Sequence, residues 1–356
     1  MSVGEELSIK NLLTESIKRG ASDLHFSVGN NPILRIDDKL VTLDDKEVVT
    51  QEFMDKMVDF FLDANQKKDL STNREIVLAH SFSTDLRFKI NIFYQRGFLS
   101  VSLRYIPYQV PTLQSLALNP ILGELVKNKN GLIIVSGPFG SGRSTTIAAM
   151  VEEINQKRKE YIITIEDPIE YIFTNNKSII EQRGVGSDTK SFGDALRYFE
   201  EEDGDVLFLE DMNNLETVPM VLEIARGSSL VFTSISADSA SSTISRILDM
   251  FPTYDQERIR DLLANSLRAV ICQKVISKIG GGVIIVQEVL VVNEAVKSII
   301  ATGAISSLNN IIQTSRGEGM VSFNNTLAKL IDEGKISRED ALDSSSDRKS
   351  LEDSLK

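Results

Sequence analysis

The chain has 356 residues, 42% hydrophobic and 25% charged, which suits a soluble protein of two domains with a sizeable core. Its net charge of −12 works against general nucleic-acid affinity, which needs clustered Lys and Arg to neutralise phosphates, so a DNA motor is disfavoured. Cys272, the only cysteine, excludes an intrachain disulfide and points to a reducing cytosol. No run nears the roughly 20 apolar residues of a membrane helix, and MSVGEELSIK lacks a signal-peptide core.

Leu7, Ile9, Leu12, Leu13 and Ile17 lie close to one helical face and Gly20 is a stop signal, so residues 5–19 form an amphipathic helix. From Asp23 to Leu43, alternating runs such as DLHFSV and ILRI are broken by Gly29, Asn30, Asn31, Pro32 and the pair Asp37-Asp38, as strands joined by turns are. Gln51 to Leu62 reads as a helix, and RFKINIFYQ (87–95) and LSVSLRYI (99–106) as strands around the turn Arg96-Gly97. These elements make a small α+β domain over residues 1–106. Pro107, Pro111 and Pro120 each remove a backbone donor and fix φ, which suits a linker over 107–120.

Residues 121–342 alternate strand (131–136), helix (144–157), strands (161–166 and 178–182), helix (191–201), strand (206–210), helix (215–226) and strand (229–234). That order means a mostly parallel α/β sheet with ligands at its carboxyl edge. After Phe251-Pro252 come a helix (255–268), an apolar hairpin around Gly280-Gly281-Gly282, and three or four short helices to Leu342. Residues 343–356 form a polar tail expected to fray.

Within the first crossover of this domain, the apolar run Leu132 to Val135 is followed at once by GPFGSGRS, Gly137 to Ser144. This is the phosphate-loop template of Gly, four residues, Gly, a basic residue and Ser/Thr, in its strand-to-helix setting. Glycines let the backbone wrap a pyrophosphate, so that N–H groups and the positive end of the helix face the anion. Gly137, Pro138, Gly140, Ser141, Gly142, Arg143, Ser144 and Thr145 are therefore the candidate nucleotide-binding residues, with the Ser144 hydroxyl offered to Mg²⁺. The plainer alternative is a Gly/Ser turn capping a helix after a core strand. Two strand ends bring acids to the same edge: Glu166-Asp167-Pro168, and VLFLED, in which four apolar residues precede Glu210-Asp211. The second fits a signature whose carboxylate reaches Mg²⁺ or polarises the attacking water; a solvated strand end is its plainer reading.

GLIIVSGPFGSGRSTTIAAM, IITIEDPIEY, ASDLHFSVGN, RFKINIFYQRG and IIQTSRGEGM together resemble the pilus retraction ATPases of the PilT type, within the type II/type IV secretion ATPase superfamily. The resemblance runs from about residue 5 to 342, in the family's order and spacing. It implies an α/β protein with a PAS-like α+β N-terminal domain and a RecA-like P-loop domain with a helical C-terminal end. It implies ATP and Mg²⁺ bound between the two domains, in a cytoplasmic homohexamer held at the inner membrane through partners. The implied partners are the platform protein of a type IV pilus machine and an active paralogous retraction ATPase, with no nucleic acid. Glu166 falls on the important acid of the family's acidic box, Thr164 to Glu170, and with Ser144 would organise the metal. Arg87, Arg104 and Arg96 fall on N-terminal arginines near the phosphates, and Arg197 on a further one. Arginine suits that role by its planar fork, though the N-terminal ones also read as decoration of a hairpin's outer face.

Departures from the family are concentrated in the chemistry. The lysine of the phosphate loop is Arg143, and the catalytic glutamate is Asp211, one methylene shorter, in Glu210-Asp211-Met212-Asn213-Asn214. An arginine four residues after Arg197 is Glu201, expected to form an i, i+4 pair with it. Two histidines fall on Ser229 and Ser236, while the chain's own His25 and His80 lie in the N-terminal domain. His25 is as much structural as functional on this reading, and His80 an exposed bystander. A stretch linked to retraction becomes Ala295 to Ile300, with its apolar positions kept, and reads as a packing helix. Two readings stand: a hexameric ATP-dependent motor for pilus retraction and twitching motility with weak or lost hydrolysis, or a non-catalytic paralogue that binds nucleotide and regulates an active ATPase.

Overall fold

In the computed structural model, which describes residues 3–37, 39–83 and 85–356, with side chains from Ile9 onward, the chain divides into two units. One is Met1–Gln109 with Pro168–Ile172, the other Val110–Asp167 with Phe173–Lys356. The Leu7 side chain and the turn residue Asp38 lie outside the described residues.

The first unit contains α1 (Val3–Lys18), β1 (Asp23–Ser27), β2 (Ile33–Ile36), β3 (Lys39–Thr42), α2 (Gln51–Phe61), α3 (Ala64–Asn73), β4 (Glu75–Ser83), β5 (Leu86–Gln95) and β6 (Phe98–Ile106). Its strands form an antiparallel sheet in the order β3-β2-β1-β6-β5-β4. Period-two alternation decides which face is covered: Phe88, Ile90 and Ile92 of β5 are buried, and they share a core with Leu13 of α1 and Met54 and Met57 of α2. Residues 63–86, without an assignment from the sequence, hold α3 and β4. α3 buries only Leu70, so its start is fixed by polar chemistry: the Asp63 carboxylate accepts from Gln66 N at 2.9 Å while Asp63 N donates back to Gln66 Oε1 at 3.0 Å. β4 also corrects the reading of His80, which is half-buried and packs on Phe82 with ring centroids 4.6 Å apart.

The second unit opens with α4 (Ile121–Leu125), β7 (Gly131–Ser136), α5 (Arg143–Lys157), β8 (Tyr161–Glu166), β9 (Ile179–Gly184), α6 (Phe192–Phe199), β10 (Val206–Leu209), α7 (Thr217–Arg226) and β11 (Leu230–Ile235). It continues with α8 (Ala240–Asp249), α9 (Thr253–Ser266), β12 (Leu267–Ser277), β13 (Val283–Val291) and the helices α10 (Glu294–Thr302), α11 (Leu308–Thr314), α12 (Phe323–Asp332), α13 (Arg338–Ser344) and α14 (Arg348–Ser354). The sheet order is β13-β12-β7-β11-β10-β8-β9, parallel except for the β12/β13 hairpin. Every residue of β7, β10 and β11 is buried, which is why these strands read as continuous apolar runs. α10 packs by Val296 and Ile300, one helical turn apart. Among the described residues no helix is long and apolar enough to cross a membrane.

Two parts of this unit differ from expectation. α8 occupies a stretch that had no assignment, because its serine-rich start reads as loop; Ile244, Ile247 and Leu248 nevertheless give it a buried face and Ser239 a capping box. The polar tail does not fray. α14 buries Leu351 completely in a cluster with Phe323 and Leu327, and Asn324 Nδ2 donates to Asp347 O at 3.0 Å.

Glu288 joins two of these helices. From β13 its buried carboxylate accepts the backbone N–H of Ala240 at 2.8 Å, at the start of α8, and that of Phe323, at the start of α12. Burial raises its pKa above the ordinary 4.5 despite both bonds. The folded chain thus holds this proton more tightly than the unfolded chain, and the group's contribution to stability is lost as pH rises through the folded value. We predict that the melting temperature of the wild type minus that of Glu288→Gln is larger at about pH 5 than at about pH 8. A difference that stays flat or widens with pH would contradict it.

Candidate functional site

Strand register brings the carboxyl ends of four strands to one edge. Ile235 of β11 pairs with Ser136 of β7, Leu209 of β10 with Thr233 of β11, and Leu209 with Ile165 of β8. The next residues, Gly137, Ser236, Glu210-Asp211 and Glu166, therefore converge on the same edge. Pro138, Gly140, Ser141 and Gly142 complete the loop out of β7, and Arg143, Ser144 and Thr145 form the first turn of α5.

Loop shape is enforced by backbone and by a strap from β12. Gly137 has φ +154°, and a Cβ there would lie 2.3 Å from Gln273 O and 2.4 Å from Ser141 Oγ, so no side chain fits. Gly140 (φ +80°) and Gly142 (φ +82°) occupy left-handed backbone, and Gly142 starts α5 without any side-chain cap, as suits a helix whose first-turn donors serve an anion. The fully buried Gln273 donates from Nε2 to Ser141 O at 2.7 Å and accepts from Thr146 Oγ1 at 3.0 Å, holding the loop and the first turn of α5 together. Gln287 stands behind it, with Nε2 3.4 Å from Gln273 Oε1 and its own Oε1 accepting from Asn119 N at 2.9 Å. The sequence did carry a sign of both: glutamine is an unusual residue inside AVICQKVI and IIVQEVLV.

Arg143 turns toward β11 and donates from a terminal nitrogen to Ser236 Oγ at 3.0 Å. Burial lowers the pKa of its guanidinium, against the pull of Asp211 and Glu210. Asp211 is half-buried; Asn213 Nδ2 donates to its Oδ2 at 2.6 Å, and burial raises its pKa above the ordinary 3.8. Glu166, 4% exposed, accepts from Thr164 Oγ1 at 2.6 Å and from Gln182 Nε2 at 3.2 Å, while Glu210 accepts from Asp167 N. Two buried polar atoms at this edge, Ser141 Oγ and Asp211 Oδ1, have no hydrogen-bond partner. Orphaned polar atoms beside a glycine cradle fit a site that takes a polar ligand.

Other candidates sit elsewhere. Arg197 is exposed on α6 and ion-paired with Asp194 Oδ1 at 2.8 Å and Glu216 Oε1 at 2.6 Å. The expected pair with Glu201 is replaced, because α6 ends at Phe199 and the helical face does not continue. Ser229 lies at the amino end of β11, the opposite edge, where it donates to Gly204 O at 2.8 Å. Of the two serines only Ser236 belongs to the site. In the first unit, Arg104 Nε donates to Asp23 Oδ1 at 2.9 Å across the β1/β6 pair, and Arg96 occupies the β5/β6 turn with φ +50°. Arg87 donates to the carbonyls of Ile169 and Glu170, both at 2.6 Å, and Lys89 pairs with the Glu170 carboxylate at 2.7 Å. Cys272 is buried, and burial pushes its thiol up to about 12.

The model of the type II/IV secretion system protein family matches residues 3–282. Over 335 residues the chain is 34% identical to the type IV pilus retraction ATPase PilT of Pseudomonas aeruginosa, covering 94% of this chain and 97% of that one. It is 33% identical over 311 residues to a twitching motility protein of Neisseria gonorrhoeae, covering 87% and 83%. The crystal structure of the pilus retraction motor PilT with bound ADP superposes with a TM-score of 0.85 at 40% identity, covering 96% of this chain and 98% of that one. The fold class expected from the sequence, an α+β unit followed by a P-loop α/β unit with a helical end, is the fold of that structure.

Two substitutions test the strap. Gly137→Ala is expected to lower nucleotide affinity at least about tenfold by distorting the loop, as read by titration calorimetry. Gln273→Ala leaves Ser141 O and Thr146 Oγ1 without their buried partner and should cost about 1–3 kcal/mol in chemical denaturation. A nucleotide affinity unchanged by Gly137→Ala would show that the loop is only a turn.

Proposed function

Because this chain belongs to the type II/IV secretion system protein family, we propose that it is a motor-type subunit of a type IV pilus system that binds ATP with Mg²⁺. The observation that carries this reading is the glycine loop strapped by Gln273 at the same sheet edge as Glu166 and Asp211. Backbone N–H groups of Gly140, Gly142, Arg143, Ser144 and Thr145 and the Arg143 guanidinium hold the phosphates, and the Ser144 hydroxyl and Glu166 hold the metal. Among the described residues no group of three or more His, Cys, Asp or Glu is placed to hold a metal by itself. Phosphate oxygens therefore complete the shell, as is usual for Mg²⁺. Bound Mg²⁺ supplies charge neutralisation at the phosphates.

The family resemblance supports a closed ring of six, in the cytoplasm and held at the inner membrane by the pilus platform protein. Arg87, Arg104 and Arg197 enter the reading as arginines that would exchange their present carbonyl or carboxylate partners for phosphate. A second reading, a non-catalytic paralogue working beside an active retraction ATPase, is favoured by two observations. The loop's cation is drawn to Ser236, and the acid at the catalytic position is a half-buried aspartate whose raised pKa opposes ionisation.

Steady-state ATPase assays beside a nucleotide titration separate the two. We expect ATP to bind while turnover stays well below about 1 s⁻¹, against a typical enzyme median of about 10 s⁻¹. Turnover of several per second, lost in Asp211→Ala, would overturn the non-catalytic reading, and absence of binding would overturn both. Light scattering that finds only monomer with Mg-nucleotide present would remove the ring.

A further inference from the structure

A cavity of about 800 Å³ opens beside the tip of the phosphate loop, lined by Pro138 and Phe139 of the loop and otherwise by residues outside it. Phe139, at the tip, forms one wall; Ser236 and the polar face of α8 form another. On α8, Ser242, Ser245, Arg246 and Asp249 recur at helical spacing along that face, while Ile244, Ile247 and Leu248 are buried behind it. The volume is within the range of small-molecule sites, about 300–1,000 Å³.

Ser236 ties this cavity to the loop, because it both lines the cavity and receives the hydrogen bond of Arg143. Arg143 donates to that hydroxyl, and the cation among the residues that line the cavity is Arg246. Its guanidinium is exposed, and no ion pair among the described residues includes it.

We propose that the cavity receives the terminal phosphate of a nucleoside triphosphate held by the loop, with Arg246 as the residue that reads its charge. The assignment rests on the loop being a nucleotide site. A triphosphate differs from a diphosphate by one charge-bearing group, and a planar guanidinium can take two of its oxygens at once. The hydroxyls of Ser242 and Ser245 line the same wall as neutral polar groups. Asp238, two residues after Ser236, and Asp249, one turn beyond Ser245, also line the cavity and repel an anion, which confines it to the side of Arg246. Arg246 is on this account a specificity residue, distinguishing the triphosphate state from the diphosphate state of one site.

The test is calorimetric titration of the full chain with ADP and with a non-hydrolysable ATP analogue, in wild type, Arg246→Ala, Arg246→Lys and Gly137→Ala. Arg246→Ala should weaken the analogue about tenfold or more and leave ADP within about twofold, and Arg246→Lys should recover part of the loss. Equal losses for both ligands, or no loss for either, while Gly137→Ala weakens both, would overturn the role of Arg246 and leave the nucleotide site standing. If Gly137→Ala changes neither affinity, the nucleotide reading of the loop fails and the assignment fails with it. The exposed position of Arg246 keeps these variants foldable, and a thermal melt of each confirms that a lost affinity is not a lost fold.

Discussion

The site depends on the amide of Gln273. The glycine loop makes one bond within itself, Ser141 N to Pro138 O at 3.2 Å, and further constraint on its shape is imposed from outside. One buried glutamine does this, giving its N–H to Ser141 O and its carbonyl to Thr146, while its own backbone carbonyl closes off the space at Gly137. Each neutral bond is worth only about 1 kcal/mol net, but a buried partner left unsatisfied costs more, and that asymmetry makes the loop geometry stiff. Gln287 and Asn119 extend the support to β13 and the segment before α4, so the loop's shape depends on strands and turns far away in sequence.

Charge at the same edge is arranged differently from what the motif alone suggests. The basic residue of the loop is an arginine, long enough to reach Ser236 on the neighbouring strand, and it makes that bond. The acids divide as well: Glu166 is held by Thr164 and Gln182, while Asp211 keeps one buried oxygen without a partner. A buried carboxylate in that condition is costly to ionise until a cation arrives, which suits a position completed by ligand and metal. The sequence differences from the family motif thus act on how charge is distributed at this edge, and the glycine-shaped loop is kept.

The C-terminal helices are fastened to this framework by polar chemistry set in an apolar wall. Glu288 caps α8 and α12 from one carboxylate, and α14 closes over Leu351. Because α8 also carries Ser242, Ser245 and Arg246, the same buried acid that holds the C-terminal helices also sets the start of the helix lining the cavity beside the loop.

The sequence by itself determined the elements whose signal is local. Apolar runs ending in a glycine or an acid gave β7, β8 and β10 their places, an apolar run alone gave β11 its place, and the glycine spacing identified the loop, since a parallel strand buried on both faces and a backbone that admits no Cβ leave direct marks in composition. It did not disclose α3, β4 or α8; α3 buries only Leu70 and α8 opens on serines, and the starts of these two helices are fixed by side-chain caps at Asp63 and Ser239. Nor did it tell which arginine serves which partner. Only the tertiary structure turned Arg197 to Glu216, Arg87 to the carbonyls of residues 169 and 170, and Arg143 to Ser236. It alone brought Gln273 to the loop 132 residues away. A long side chain's hydrogen bonds are chosen by what folding places within its reach, and that choice is not written in the residues beside it.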